Sequence, residues 1–234
     1  APGNEVVGPR ELKGDRFTAA GQFGMDLEYY VASPTRTQKH TVRYGLKPSA
    51  ADVGSFFEYQ DMLQLTLPGD GSYYVAMFPR KPSEKAPTFA RSGDGRIITI
   101  SGEWGTDYAF MSKEPANAKI AGFSFAGTAG SVQNRRSGLV LALGGKGKVT
   151  GKAHALAAPF GVSLLVGSGV MTIDMSPNHP PGEIIITAPG EWKLPKAKDA
   201  KLSKTPDGSY KLSVPGDTKA VRCRKADMCK VARK

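Results

Sequence analysis

The chain has 234 residues, with 28 Gly, 17 Pro, only 2 Cys, 40% hydrophobic content and a formal charge of +11 from 32 Lys and Arg against 21 Asp and Glu. That length buries a core without disulfide or metal staples, two cysteines are too few for a disulfide scaffold, and the Gly and Pro have no collagen period. No stretch approaches the roughly eighteen apolar residues of a membrane helix, so no membrane span is expected.

Residues 1–10 have neither a charged leader nor an apolar signal core, so any export signal has been removed or never existed. The expected location is secreted or periplasmic. Short runs of Val, Ile, Phe, Tyr and Thr between Gly, Pro, Asp and Asn clusters predict antiparallel strands throughout. The first are 15–20 and 25–32, where apolar and polar residues alternate from Met25 to Val31, giving one buried and one wet face. Ala50, Val53, Phe56 and Phe57 have the spacing of a short helical turn within 48–57. Strands at 58–67 and 72–80 flank the turn Pro68-Gly69-Asp70-Gly71. Strands at 96–102 and 107–112 follow the turn Ser92-Gly93-Asp94-Gly95.

The second half has the same texture, with strands expected at 119–125, 131–136, 138–144, 147–155, 160–167, 169–175, 182–188 and 191–194. Gly144-Gly145-Lys146-Gly147-Lys148 lacks P-loop spacing and reads as a hairpin turn. No apolar pattern of three-and-four spacing persists long enough for a long helix. The fold class is therefore all-β, an antiparallel β-sandwich or stacked sheets built from hairpins, with a basic C-terminal tail.

Charge marks the domain organisation. Residues 1–192 carry 19 basic and 17 acidic side chains, and residues 193–234 carry 13 and 4. Residues 1–194 read as the sandwich region, and 195–234 as a basic linker, an edge strand at 210–214 and a tail whose composition suits disorder. Such a tail keeps a chain soluble or attracts a polyanion, and the nearly neutral body has no nucleic-acid motif, so nucleic acid is the less expected partner.

Chemistry has few candidates. His40, His154 and His179 lack ligand spacing, so no metal site is expected, and no cofactor fingerprint is present. Asp26 and Glu28 share a strand face as a glycosidase pair might, but alternating outward charges explain them as well. Trp104 and Tyr108 suit sugar stacking or anchor a loop to the core. Arg135, Arg136, Lys146, Lys148 and Lys152 cluster near successive predicted turns and are candidate polyanion contacts. Cys223 and Cys229, six positions apart, suit a small disulfide loop, with reactive thiols as the alternative.

Three segments carry a resemblance: Asp15-Arg16-Phe17-Thr18-Ala19-Ala20-Gly21-Gln22-Phe23-Gly24-Met25-Asp26-Leu27-Glu28-Tyr29-Tyr30, Leu67-Pro68-Gly69-Asp70-Gly71-Ser72-Tyr73-Tyr74-Val75-Ala76-Met77-Phe78-Pro79-Arg80, and Gly102-Glu103-Trp104-Gly105-Thr106-Asp107-Tyr108-Ala109-Phe110-Met111-Ser112. Over roughly residues 10–195 they resemble the C-terminal β-rich region of heparinase II/III-like polysaccharide lyases. In that family an α/α toroid precedes the β domains, and uronate polysaccharides are cleaved by β-elimination using Tyr and His. No run of amphipathic helices supplies the toroid here, and no catalytic position of the family maps onto this chain. The resemblance implies a non-catalytic module or fragment of an exported lyase that contacts acidic polysaccharide, with a helical catalytic domain as possible partner. If the chain is enzymatic, a lyase is implied. The alternative is a free-standing secreted or surface protein that binds a polyanion or carbohydrate.

Overall fold

The computed structural model describes residues 5–20, 24–32, 38–46, 58–66, 74–195 and 199–226. They form antiparallel β-strands and, among the described residues, no helix. The helical turn expected within 48–57 lies outside them. The chain divides into two compact units, Ala1–Glu84 and Lys85–Lys234.

The first unit holds β1 (Glu5–Glu11), β2 (Arg16–Ala19), β3 (Asp26–Val31), β4 (Gln38–Leu46), β5 (Glu58–Thr66) and β6 (Val75–Arg80). They form two three-stranded sheets, ordered β1-β4-β5 and β2-β3-β6. In the second of these, Thr18 lies opposite Glu28 and Asp26 opposite Arg80, so period-two alternation puts Arg16, Thr18, Asp26, Glu28 and Arg80 on one face.

The second unit is one fourteen-stranded sheet: β7 (Thr88–Arg91), β8 (Ile97–Gly102), β9 (Gly105–Ile120), β10 (Phe123–Arg135), β11 (Gly138–Leu143), β12 (Gly147–Thr150), β13 (Ala155–Ala158), β14 (Val162–Gly167), β15 (Val170–Met175), β16 (Gly182–Thr187), β17 (Trp192–Lys193), β18 (Lys201–Lys204), β19 (Tyr210–Val214) and β20 (Ala220–Lys225). Its registers describe long strands interrupted along one line. β10 pairs with β9 on one side. On the other, its first half pairs with β12 and its second half with β11. Thus β11 and β12 are two parts of one strand. The same holds for β13 with β14, β15 with β16, β19 with β20, and β17 with β18. Every break contains Gly or Pro: 144–146, 159–161, 176–181, 215–219 and 194–200.

Two local expectations change. Between the pairs Gly130↔Leu143 and Gly127↔Gly147, one strand has three residues against two, so 144–148 is a bulge in a continuing strand and not a hairpin turn. The run 119–125 is not a single strand but the tip of the β9–β10 hairpin, reversed by Ala121 and Gly122 at φ 48° and 82°.

The line of breaks is a crease. A flat single sheet leaves both faces wet, yet Phe125, Leu141, Leu156, Leu164, Ile173, Ile184 and Leu212 are at most 2% exposed within one cluster. With no helix in the described unit, the cover is the sheet itself, folded into two layers. Layer A contains β7, β8, the first part of β9, the second half of β10, then β11, β14, β15, β20 and β17. Layer B contains the end of β9, the first half of β10, then β12, β13, β16, β19 and β18. Phe110 of layer A stacks on Phe125 of layer B, ring centroids 5.5 Å apart. The result is the all-β, hairpin-built stacked arrangement, with the sheet nearly closed on itself.

Glycine lets the strands turn the crease. Gly127, at φ 134°, faces Gly147 across the ladder, and a Cβ on Gly147 would stand 2.6 Å from the Ala126 carbonyl oxygen. Side chains then pin adjacent breaks together. His179, buried, lies against Phe160 with centroids 4.3 Å apart, and its ring nitrogens sit 2.8 and 2.9 Å from the Pro180 and Thr218 carbonyl oxygens. Across the layers, Tyr210 donates its hydroxyl to the Gly190 carbonyl at 2.9 Å and accepts the Trp192 N–H at 3.1 Å.

The segment read as a basic tail from 195 onward contributes strands to this sheet. Tyr210, Leu212, Val214, Val221 and Cys223 point into the core while Lys211, Arg222 and Arg224 point out. Residues 227–234 of that tail lie outside the described residues.

Candidate functional site

Asp26 and Glu28 do not form a pair of outward carboxylates. Glu28 is fully buried, and both of its oxygens are occupied. Oε2 accepts from Thr18 Oγ1 at 3.0 Å and from Arg16 Nε and Nη2 at 3.4 Å, and Oε1 accepts from Arg80 Nε at 2.8 Å. Arg80 also reaches Asp26 at 3.3 Å and donates Nη1 to the carbonyls of Lys81, Pro82 and Glu84. Burial pushes the Glu28 carboxyl up, but the Arg80 and Thr18 hydrogen bonds and the two guanidinium charges outweigh it and hold it below its ordinary value. Saturated on every side, this cluster ties β2, β3 and β6 to the end of the first unit.

The aromatic candidates divide similarly. Tyr108 faces the interior, 5.8 Å from the Phe123 ring, and is partly buried against the core. Trp104, in the β8–β9 turn, lies over Gly102, where a Cβ would meet its ring at 2.0 Å. Tyr108 thus packs on the core, and Trp104 packs on its own turn. The cysteines differ from the expected pair: Cys223 is a free thiol with no exposed surface, pushed up to about 11 by burial, and Cys229 lies outside the described residues. An inward side chain on β20 has its direction fixed by strand alternation, so it neither closes a surface loop nor meets solvent.

His154 is in the β12–β13 turn, where burial lowers its pKa. His40 is on β4, and His179 is held at the crease. Among the described residues no three His, Cys, Asp or Glu side chains gather as metal ligands.

The five basic candidates separate. Arg135 ends β10 in layer A and grips Asp107 with two bonds of 3.1 and 2.5 Å, which raise its pKa. Arg136 is the exposed turn residue after it. Lys146 lies at the crease, Lys148 on the outer face of β12, and Lys152 in the turn beyond. These three lysines are exposed and form no ion pair among the described residues.

Register adds three lysines that chain order hides. Lys148 lies on a row running Asn117–Ala126–Lys148–Ala157–Ile185–Lys211–Ser203 over all seven strands of layer B. The next row is Lys119–Ser124–Thr150–Ala155–Thr187, and on the other side a row runs Lys201–Ser213–Glu183. Inner-face partners Val149, Leu156, Ile184, Ile186 and Leu212 are buried, which fixes these rows outward. Glu183 bonds Lys211 at 3.0 Å. Lys119 also rims a shallow open depression beneath the hairpin tip, lined by residues 119–124.

Charge follows the unit boundary. Residues 1–84 carry 9 basic and 10 acidic side chains, whereas residues 85–234 carry 23 and 11. The second unit alone holds the positive excess.

Fold and surface together define an all-β protein whose second unit is a creased, two-layered, strongly basic sheet. Comparison with protein-family models, curated proteins and solved structures finds no match.

Proposed function

We propose that residues 85–234 form a non-catalytic β module that holds a polyanion. The observation that carries this reading is the charge asymmetry: 23 basic against 11 acidic residues in one unit, beside a nearly balanced neighbour. A positive field of this kind concentrates anionic polymers and speeds their capture. The non-catalytic part is supported by the engagement of the conspicuous polar groups: Glu28, Arg80, Arg135 and His179 each hold structural partners. An exported location suits such a ligand.

Binding of the full chain to heparin and to polygalacturonate, measured between low and high salt, tests the proposal. Tight binding at low salt that collapses as salt screens the charges is the expected result. No binding to either polymer at low salt overturns it, and release of unsaturated uronate products absorbing in the ultraviolet overturns the non-catalytic part.

A further inference from the structure

We infer that the ligand lies on the outer face of layer B, across the strands, and that it is an acidic polysaccharide and not a stacked nucleic acid. This rests on the polyanion reading above and adds the face and the ligand class.

The sheet has two outer faces, and both carry basic groups. On layer A the cross-strand rows mix signs. One row includes Asp107 and Arg222, and another includes Arg91 and Asp174. Its exposed Leu165 lies between Val140 and Thr172. Layer B differs. Its outward rows carry Lys119, Lys148, Lys201 and Lys211 with Glu183 as the carboxylate, and the positions between lysines hold short side chains, Ala126, Ala155, Ala157, Ser124, Thr150 and Thr187, together with one exposed larger one, Ile185.

Strand spacing sets the scale. Lys148 and Lys211 are three strands apart, about 14 Å, and the full seven-strand row runs about 29 Å. A linear polymer lying along the row meets ammonium groups separated by Ala157 and Ile185, with the hydroxyls of Ser124, Thr150 and Thr187 in the neighbouring row. Hydroxyls donate to and accept from sugar hydroxyls, while the long lysine stems reach out to charged groups. Single-stranded nucleic acid is held by bases stacking on aromatic side chains. The described layer-B rows carry no aromatic residue; Tyr108, Phe123 and Phe125 all face the core.

Fluorescence anisotropy with a labelled heparin oligosaccharide and a labelled oligo-dT of equal charge tests the inference. Two double variants of the full chain are compared: Lys119→Gln with Lys148→Gln on layer B, and Arg222→Gln with Arg224→Gln on layer A. The layer-B pair is expected to lose affinity for the oligosaccharide roughly 30-fold and to flatten its salt dependence, with the layer-A pair little changed. Lys119→Arg with Lys148→Arg restores binding and separates lost charge from lost folding. Equal losses in both pairs, a larger loss in the layer-A pair, or oligo-dT binding as tightly as the oligosaccharide overturns the inference. Failure of the unaltered chain to bind any polyanion overturns the earlier proposal itself, a different result from binding that survives in the layer-B variant.

Discussion

The rings of Tyr108 and Phe123 lie 5.8 Å apart, although Tyr108 pairs with Val132, nine positions along β10 from Phe123. On a straight strand nine residues span about 30 Å. The contact exists because β10 turns the crease between them, bringing opposite ends of one strand pair face to face.

The crease is sensitive to one added carbon. Gly147→Ala places a Cβ 2.6 Å from the Ala126 carbonyl oxygen, inside a ladder that has no slack. The expected cost is about 1–3 kcal/mol in urea unfolding. Gly145→Ala, two residues earlier with open space around it, is expected to stay within about 0.5 kcal/mol. Equal effects from both would mean that the crease does not depend on close approach at Gly147.

Glu28 gives the first unit an acid-sensitive seam. Its folded pKa lies below the ordinary 4.5. The network's stabilisation is therefore complete above the unfolded value and is lost as pH falls through the folded value. Glu28→Ala takes one of two carboxylates from Arg80, whose side chain is 12% exposed and keeps Asp26, and is expected to cost about 1–3 kcal/mol at neutral pH. Arg16, 42% exposed, contributes less because solvent screens it. Thermal unfolding against pH should show a shallower acid loss in Glu28→Gln than in the unaltered chain.

Tyr210 joins the layers through one oxygen. Removing it in Tyr210→Phe loses the bond to the Gly190 carbonyl and leaves the Trp192 N–H unpartnered, an expected loss of about 1–3 kcal/mol. Denaturant unfolding followed by tryptophan fluorescence checks this.

Cys223 should be chemically silent while the chain is folded. In a Cys229→Ala background, thiol labelling at mildly alkaline pH is expected to follow global opening, because the thiol is buried and its pKa is about 11. Fast labelling of the native protein would contradict the inward orientation of β20.

Strand class was legible wherever alternation was strong. Leu139 to Leu143, Val162 to Val166 and Tyr210 to Val214 all follow their expected pattern. Ala155–Ala158 was missed because alanine carries little β preference, although its partners Val149 and Ile186 bury it as a strand. β20 was hidden by its charges: Val221 and Cys223 alternate correctly, but Arg222, Arg224 and Lys225 gave the segment the composition of a tail. Gly144-Gly145 read as a reversal because a bulge and a turn share the same residues, and only the count on the opposing strand separates them. The lysine face of layer B was invisible for a related reason. Lys119, Lys148 and Lys211 are far apart in the chain and meet only through register.

Strand order in the second unit has a consequence for synthesis. β17 and β18 leave the ribosome before β19 and β20, yet they pair with β20 and β19 and not with the strands made before them. Residues 192–204 must therefore wait, unpaired, until residues 210–225 have docked beside β15 and β16. The lysines of that segment, Lys193, Lys196, Lys198, Lys201 and Lys204, help keep an idle strand in water during the delay.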